Sequence, residues 1–203
     1  MKKRSVTDAI RHRRSVRIQS DRPIEAPLVK ACIENATLAP NSSNMQLWEF
    51  YHITSATAKK EIRAACFNQS AAKTAQQLVI PVVRMDLWET RLKALKQNLI
   101  DQFESAEERN SEKEAKALAY LEKDLPKVYQ KKSWWTTRKE QKEVVKKGKS
   151  KAVYREIGAE NLRIIGHKSV ALAAQNFMVS MAEIGYDTCP MEGFDSERIK
   201  EHL

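Results

Sequence analysis

Glycine is scarce in this chain, with five in 203 residues and none in the close spacing of a phosphate-cradling loop. That excludes the Gly-rich dinucleotide fingerprint, in which tight turns bring the backbone against a pyrophosphate. Cysteine is as sparse. Cys32, Cys66 and Cys189 are odd in number and far apart, which argues against a disulfide framework or a zinc site. Each reads as a small buried apolar residue, and the set points to a reducing, cytoplasmic compartment. No metal site is expected. No run of about 18 apolar residues occurs, so no membrane span is expected and no membrane partner with it. The basic start, Met1-Lys-Lys-Arg-Ser5, has no apolar core behind it and does not read as a signal peptide. Nor does any of the four histidines pair convincingly with a carboxylate to suggest a proton relay.

What is present is positive charge, concentrated in one place. Between Lys127 and Arg155 stand eleven lysines or arginines and only two acids, Glu140 and Glu143, so this stretch carries nine of the chain's net ten positive charges. A patch this local describes one surface and not the whole molecule.

The length suits one domain with an insertion. Ser5, with Asp8 three residues on, predicts a helix start, and that helix runs to about Arg13. The period then changes. In an extended chain Arg13, Ser15 and Arg17 share one face, which suits a phosphate because a guanidinium makes paired charge-assisted hydrogen bonds. A solvated basic turn is the plainer alternative. Pro23 to Pro27 opens a second helix with Leu28, Ala31, Cys32, Asn35 and Leu38 toward a core, ending at Ala39-Pro40. The polar loop Ala39-Pro-Asn-Ser-Ser-Asn-Met-Gln-Leu-Trp48 follows, leading into a strand Trp48–Ile53. Its small hydrogen-bonding side chains let a backbone approach a planar ligand, although such junctions are commonly only turns. Ser55 or Thr57 caps a short helix carrying Ile62, Ala65 and Cys66. Phe67-Asn-Gln69 breaks it, and a further short helix leads to an apolar strand, Leu78–Val83, with Pro81 near an edge or a bulge.

From Asp86 to about Gly158 the chain is charged and helical. The stripe Leu87, Leu92, Leu95, Leu99 and Phe103 marks one helix. Ser111 caps a second, which Pro126 ends. Trp134 and Trp135 are expected to pack against the main body. Val170–Ile184 reads as a helix apolar nearly all round, buried on all sides and in part by a partner subunit, with Gly185 as its left-handed cap. His167 reads as a cap or surface residue. Cys189-Pro-Met-Glu-Gly-Phe-Asp195 forms a turn with exposed backbone amides, and Asp195 starts a last helix.

Taken together, Arg13-Arg-Ser-Val-Arg17, Ala39-Pro-Asn-Ser-Ser-Asn-Met-Gln-Leu-Trp48, Phe67-Asn-Gln69, and Ala174-Gln-Asn-Phe177 followed by Pro190-Met-Glu-Gly-Phe-Asp195 appear in the order they take in the nitroreductase family. The chain resembles that family over about 1–85 and 160–203. The resemblance implies an α+β fold, with a central, mostly antiparallel sheet flanked by helices. It implies a single domain over 1–203 with a helical insertion at about 86–158, and an intertwined homodimer. It implies FMN as cofactor, NADH or NADPH as donor, and a small electron-poor acceptor such as a nitroaromatic or quinone, reduced in a ping-pong cycle through flavin N5. By position, Arg13, Arg14, Ser15 and Arg17 would hold the phosphate and ribityl chain, and Asn68 the ring or ribityl. Pro40, Asn41 and Ser42, with Asn44 in the same loop, would come from the other subunit. Pro190, Met191, Glu192 and Gly193 would line the ring, with the Glu192 backbone amide near N5 as the catalytic group. Gln19, Leu47 and Ala71 stand where relatives usually carry an aromatic, a proline and, in some members, a lysine. The family's C-terminal strand and arm are expected to be missing.

Two other readings compete. One is a non-catalytic FMN-binding protein. The other, weaker, is a nucleic-acid-binding helical protein, resting on Lys127–Arg155 with its two tryptophans.

Overall fold

The computed structural model describes residues 3–203, so the first two residues of the basic start lie outside it. The chain gathers into two compact units. One comprises the residues up to Pro40 with Trp48–Val82 and Val170–Leu203, and the other Asn41–Leu47 with Val83–Ser169.

In the first unit, α1 (Val6–His12) is capped as expected, the Ser5 hydroxyl accepting from the Asp8 N–H at 3.2 Å. Helix α2 (Ala26–Thr37) carries Pro27 in its first turn, where a missing N–H leaves no bond unmade. Its buried residues are Val29, Cys32 and Ala36. Of the predicted stripe only Cys32 is buried, whereas Leu28, Ala31, Asn35 and Leu38 face solvent. The helix has two apolar stripes, and one chain covers only that of Val29 and Ile33, packed with Phe177 and Met181.

Strands β1 (Trp48–Ile53) and β2 (Leu78–Val83) pair in a two-stranded sheet. Just beyond their ends the Arg84 N–H donates to the Leu47 carbonyl at 3.0 Å, so the start of one meets the end of the other and they run antiparallel. Between them, α3 (Ala56–Ala65) begins at a Ser55 cap and α4 (Ser70–Thr74) follows. Ile62, Ala65, Cys66, Ala72 and Leu78 form a core that Ile199 of α10 (Ser196–Lys200) closes. As read from the sequence, Asp195 caps α10, accepting from the Glu197 and Arg198 N–H groups.

The long helix α9 spans Ala159–Glu183, about three turns earlier than the sequence suggested. Gly166 lies within it at a point of close packing. A Cβ there would sit 2.7 Å from Val83 Cγ1 and 3.1 Å from Met85 Sδ. The helix ends in a Schellman cap, with Gly185 at φ 86° and the Tyr186 N–H reaching the Met181 carbonyl at 3.0 Å. Within one chain it is covered on part of its circumference, and Ala171, Leu172 and Gln175 are exposed on the side where a partner subunit was expected to contribute.

In the second unit, α5 (Trp88–Glu104), α6 (Ser111–Ala119), α7 (Leu125–Tyr129) and α8 (Trp134–Lys147) are the expected charged helices. Leu121, Leu125 and Tyr129 bury against Trp88, Leu92, Leu95 and Leu99. Three sequence expectations shift here. Asn110 and not Ser111 caps α6, because its side chain reaches the Lys113 N–H at 2.9 Å. Pro126 does not end a helix. The chain runs on through one wide turn, Tyr120–Asp124, and Pro126 sits in the first turn of α7. Trp134 and Trp135 are 59 % and 75 % exposed, not packed.

Burial pushes the Cys32 thiol up to about 11, with the Glu183 carboxylate adding to the rise and Lys3 opposing it. Burial also raises Cys66. Below the ordinary thiol value of 9.0 Cys32 is protonated in folded and unfolded chains alike. As pH climbs from there, the unfolded chain ionises first and folded stability falls, by about 1–3 kcal/mol for such a shift. Urea unfolding at pH 8 and pH 10.5 is expected to show this decline, and Cys32→Ala to flatten it. At pH 8 a thiol reagent should label Cys189 alone in the folded protein. Equal labelling of all three cysteines would refute the burial argument.

Candidate functional site

Three segments of the first unit are tied to one another. After α1 the chain from Arg13 to Arg17 runs beside Thr188. Ser15 pairs with Thr188 in an isolated parallel bridge, and the Val16 N–H donates to the Thr188 carbonyl at 3.2 Å. Extended backbone puts alternate side chains on opposite sides. Arg14 accordingly turns away from Arg13 and Arg17, its Nη1 donating to the Arg11 and Arg13 carbonyls at 2.7 and 2.8 Å. It would have to leave both to reach a phosphate. Among the described residues Arg13 and Arg17 have no carboxylate partner, while the Arg13 N–H, held by the Ala9 carbonyl, and the Ser15–Val16 backbone, held by Thr188, fix the segment. Ser15 and Arg17 are exposed and Arg13 is half-buried.

The second segment is the end of α3. The Phe67 N–H donates to Ala64 and the Asn68 N–H to Arg63, at 3.0 and 2.9 Å. This is a Schellman cap with phenylalanine where glycine is usual. Phe67 and Asn68 take φ of 54° and 52°. Asparagine tolerates the left-handed region, but a bulky residue there costs on the order of 1–3 kcal/mol. The turn leaves the Asn68 side chain exposed.

Gln69 then links this turn to the third segment. Its Nε2 donates to the Gly193 carbonyl at 2.6 Å. A Cβ on Gly193 would lie 3.1 Å from that nitrogen, so a glycine leaves room for the bond. Close by, the Asp195 N–H donates to the Ala65 carbonyl at 2.8 Å. Pro190, Glu192 and Gly193 are exposed, while Met191 packs against the Ile62 core. The first segment joins the second through Gln19, whose N–H donates to Thr74 Oγ1 at 2.9 Å. Arg13–Arg17, Asn68 and Pro190–Gly193 are therefore held in one framework, and Pro40 stands exposed at the far end of α2.

The polar loop belongs to the second unit, where its backbone is strained. Ser43, Asn44 and Gln46 have φ of 53°, 52° and 49°. Inside the loop, Asn41 Oδ1 accepts from the Gln46 N–H at 2.8 Å and Asn44 Oδ1 from Gln46 Nε2 at 3.2 Å. Ser43 Oγ and Tyr120 Oη are 2.8 Å apart, and the Ser42 N–H points at Ser169 Oγ at 3.5 Å. Burial raises the Tyr129 phenol, with a Ser42 hydrogen bond acting against the rise. Met45 and Leu47 anchor the loop in the helical core.

Sequence reasoning missed several of these groups. Gln69 lay inside a motif but was read only as a helix breaker. Thr188, whose buried Oγ1 has no hydrogen-bond partner, carried no signal. Tyr120, Tyr129 and Ser169 support the loop from residues distant in sequence.

Chemically the framework offers two unpaired guanidinium groups and a hydroxyl for a phosphate, an exposed amide, and a turn with free backbone N–H groups. These residues fit FMN, whose phosphate, ribityl chain and ring need such partners. Among the described residues no group of three or more His, Cys, Asp or Glu could hold a metal ion.

Comparison with known proteins gives consistent results. The sequence model of the Nitroreductase family matches residues 10–203. Protein DrgA of Synechocystis is 26 % identical over 195 residues, covering 96 % of this chain and 74 % of that protein. A solved structure described as an NAD(P)H:FMN oxidoreductase, from Staphylococcus epidermidis, is similar at TM-score 0.68 and 20 % identity, over 100 % of this chain and 80 % of the other. A nitroreductase-type structure from Exiguobacterium sibiricum in complex with FMN is similar at TM-score 0.63 and 22 % identity, over 100 % and 81 %. With a family match over nearly its whole length, the chain belongs to the nitroreductase family.

Proposed function

We propose that this protein is an FMN-dependent oxidoreductase that moves a hydride from NADH or NADPH to a small electron-poor acceptor, a nitroaromatic or a quinone, in ping-pong fashion. The observation that carries the reading is the pair of unpartnered guanidinium groups, Arg13 and Arg17, in a segment tied by its backbone to the turn beside Pro190–Gly193. Family membership and an FMN-bound structural relative support the cofactor.

Arg13 and Arg17 would clamp the phosphate with Ser15 adding a donor, and Arg14 would contribute only after releasing its two carbonyls. Asn68 would hydrogen-bond the ring or ribityl chain. Pro190, Met191 and Gly193 would line the ring, with the Glu192 backbone N–H directed to N5. FMN, when bound, would supply the two-electron hydride chemistry between the nicotinamide donor and the acceptor. No side-chain acid or base is needed. The chain acts as a single catalytic domain in which the helical unit is an insertion. It works as a homodimer, and Pro40, Asn41, Ser42 and Asn44 of one copy serve the flavin of the other. Exposed apolar residues on three helices of the first unit, Val6, Ile10, Leu28, Leu38 and Leu172, support such a pairing.

The purified protein is expected to quench the fluorescence of added FMN and to oxidise NADH or NADPH when a quinone is supplied. Arg13→Ala with Arg17→Ala should weaken FMN binding by at least about tenfold, since each charge-assisted contact is worth about 1.5–3 kcal/mol. Protein that takes up no FMN would overturn the proposal.

Gln69→Ala leaves the Gly193 carbonyl without its donor and frees the turn that carries the Glu192 amide. Its expected effect is a shift in the flavin midpoint potential and a roughly threefold to tenfold loss of kcat/KM, equivalent to about 0.7–1.4 kcal/mol. Gln69→Asn, too short to reach, should resemble it. Unchanged potential in both variants would remove Gln69 from the site.

A further inference from the structure

The charged stretch that the oxidoreductase reading leaves unused forms helix α8 of the second unit. Its less exposed residues, Thr137, Glu140, Val144 and Gly148, recur at three- and four-residue spacing and mark the side turned to the unit. At about 100° per residue, the opposite side is centred on Trp135, Lys142 and Lys146 and flanked by Arg138 and Lys139. All five of these are exposed. The two acids of the helix are already engaged. Glu140 pairs with Lys132 at 2.8 Å, and Glu143 pairs with Lys147 at 3.7 Å. The outward face therefore presents four cations around a 75 % exposed indole with no acid among them. Trp134 stands beside it, edge to face with Trp135 at 4.5 Å between ring centroids.

We propose that this face of α8 docks on an anionic phospholipid surface. Two observations point to a membrane and not to a nucleic acid. Stacking successive bases needs several free aromatic faces, yet the Trp134 ring is covered by the Arg138 guanidinium at 5.2 Å and abuts Trp135 edge-on, which leaves Trp135 as the one open indole of the pair. A headgroup layer needs only a convex indole to sit among the headgroups and cations around it to meet lipid phosphates. No helix among the described residues is long and apolar enough to cross a membrane, so the contact is peripheral. The cations supply long-range attraction, screened by salt, and the indole supplies a short-range contact that salt does not screen.

Vesicle flotation tests this with the whole FMN-loaded protein. Vesicles of phosphatidylcholine alone, and of phosphatidylcholine with phosphatidylglycerol, are compared at low and high salt. Binding is expected only with the anionic lipid, falling as salt rises. Lys139→Glu with Lys142→Glu and Lys146→Glu should lower partitioning by at least about tenfold, since each cation near such a surface contributes about fivefold. Trp135→Ser should weaken it further at high salt, and brominated lipid should quench tryptophan emission in the wild type but less in that variant. These residues are exposed, so FMN content and Tm should stay unchanged in both variants. No binding to anionic vesicles at low salt would overturn the proposal. So would tighter binding to a single-stranded oligonucleotide than to the vesicles, or binding that the charge reversals leave intact.

Discussion

The hydrogen bond from the Gln69 amide to the Gly193 carbonyl is the tie on which the candidate site depends. The turn from Cys189 to Asp195 has no strand of its own to hold it. It is fixed at one end by the Thr188 backbone, which pairs with Ser15 and Val16, and at the other by the Asp195 N–H on Ala65. Between those ends the Gln69 side chain is the contact that fixes where the Gly193 peptide points. A backbone amide can act on a ligand only if its direction is set beforehand, because a freely rotating peptide spends its dipole on water. Gln69 can reach Gly193 because the Schellman cap at Phe67 reverses the chain at the end of α3. The cost of a phenylalanine at positive φ is therefore a local expense with a positional result. It turns Asn68 outward and Gln69 toward the third segment in one step.

The second unit solves a related problem by different means. A loop with three non-glycine residues at positive φ is not stable alone. Here the strained residues alternate with anchors. Met45 and Leu47 are nearly inaccessible among Leu121, Leu125 and Tyr129, and burying two such side chains contributes about 3–6 kcal/mol. That offsets the strain and leaves Ser42 and Ser43 to be oriented by the phenols of Tyr129 and Tyr120. The helices called an insertion are thus part of what shapes the polar loop. Tyr129, with its phenol raised by burial, stays neutral at physiological pH and keeps its proton for hydrogen bonding.

Much of this was legible in the sequence because its causes are local. Ser5, Ser55, Asp195 and Gly185 each act on residues within one turn, and each does what its type predicts. The ordered motifs located the arginine segment, Asn68 and the Pro190–Gly193 turn. What was not legible has causes distant in sequence. The buried stripe of α2 is chosen by Phe177 and Met181. Leu28 and Leu38 are as apolar as Val29 and Ile33, so periodicity alone could not rank the two faces. Gly166 lies inside α9 where Val83 and Met85 press on it, which no reading of Ile165 to Ser169 could show. Pro126 was misassigned for a related reason. A proline marks a helix boundary without saying which side of it the helix lies on.

The tryptophans of α8 show the same limit from the other direction. Composition makes a buried tryptophan the ordinary outcome, and a core in the second unit was available to take one, as Trp88 shows by stacking near Tyr129 at 6.3 Å. Trp134 and Trp135 nonetheless lie at the start of a helix whose inward side is Thr137, Glu140, Val144 and Gly148. Those residues are too small or too polar to form a pocket for an indole, and rotating the helix to bury Trp135 would carry Lys142 and Lys146 inward with it. Burying either ammonium without a partner costs more than burying an indole gains. The cations thus fix the rotation of α8, and the exposed indoles follow from it. A surface made in this way has attraction for anions and apolar area in the same place, and only a partner offering both can cover it.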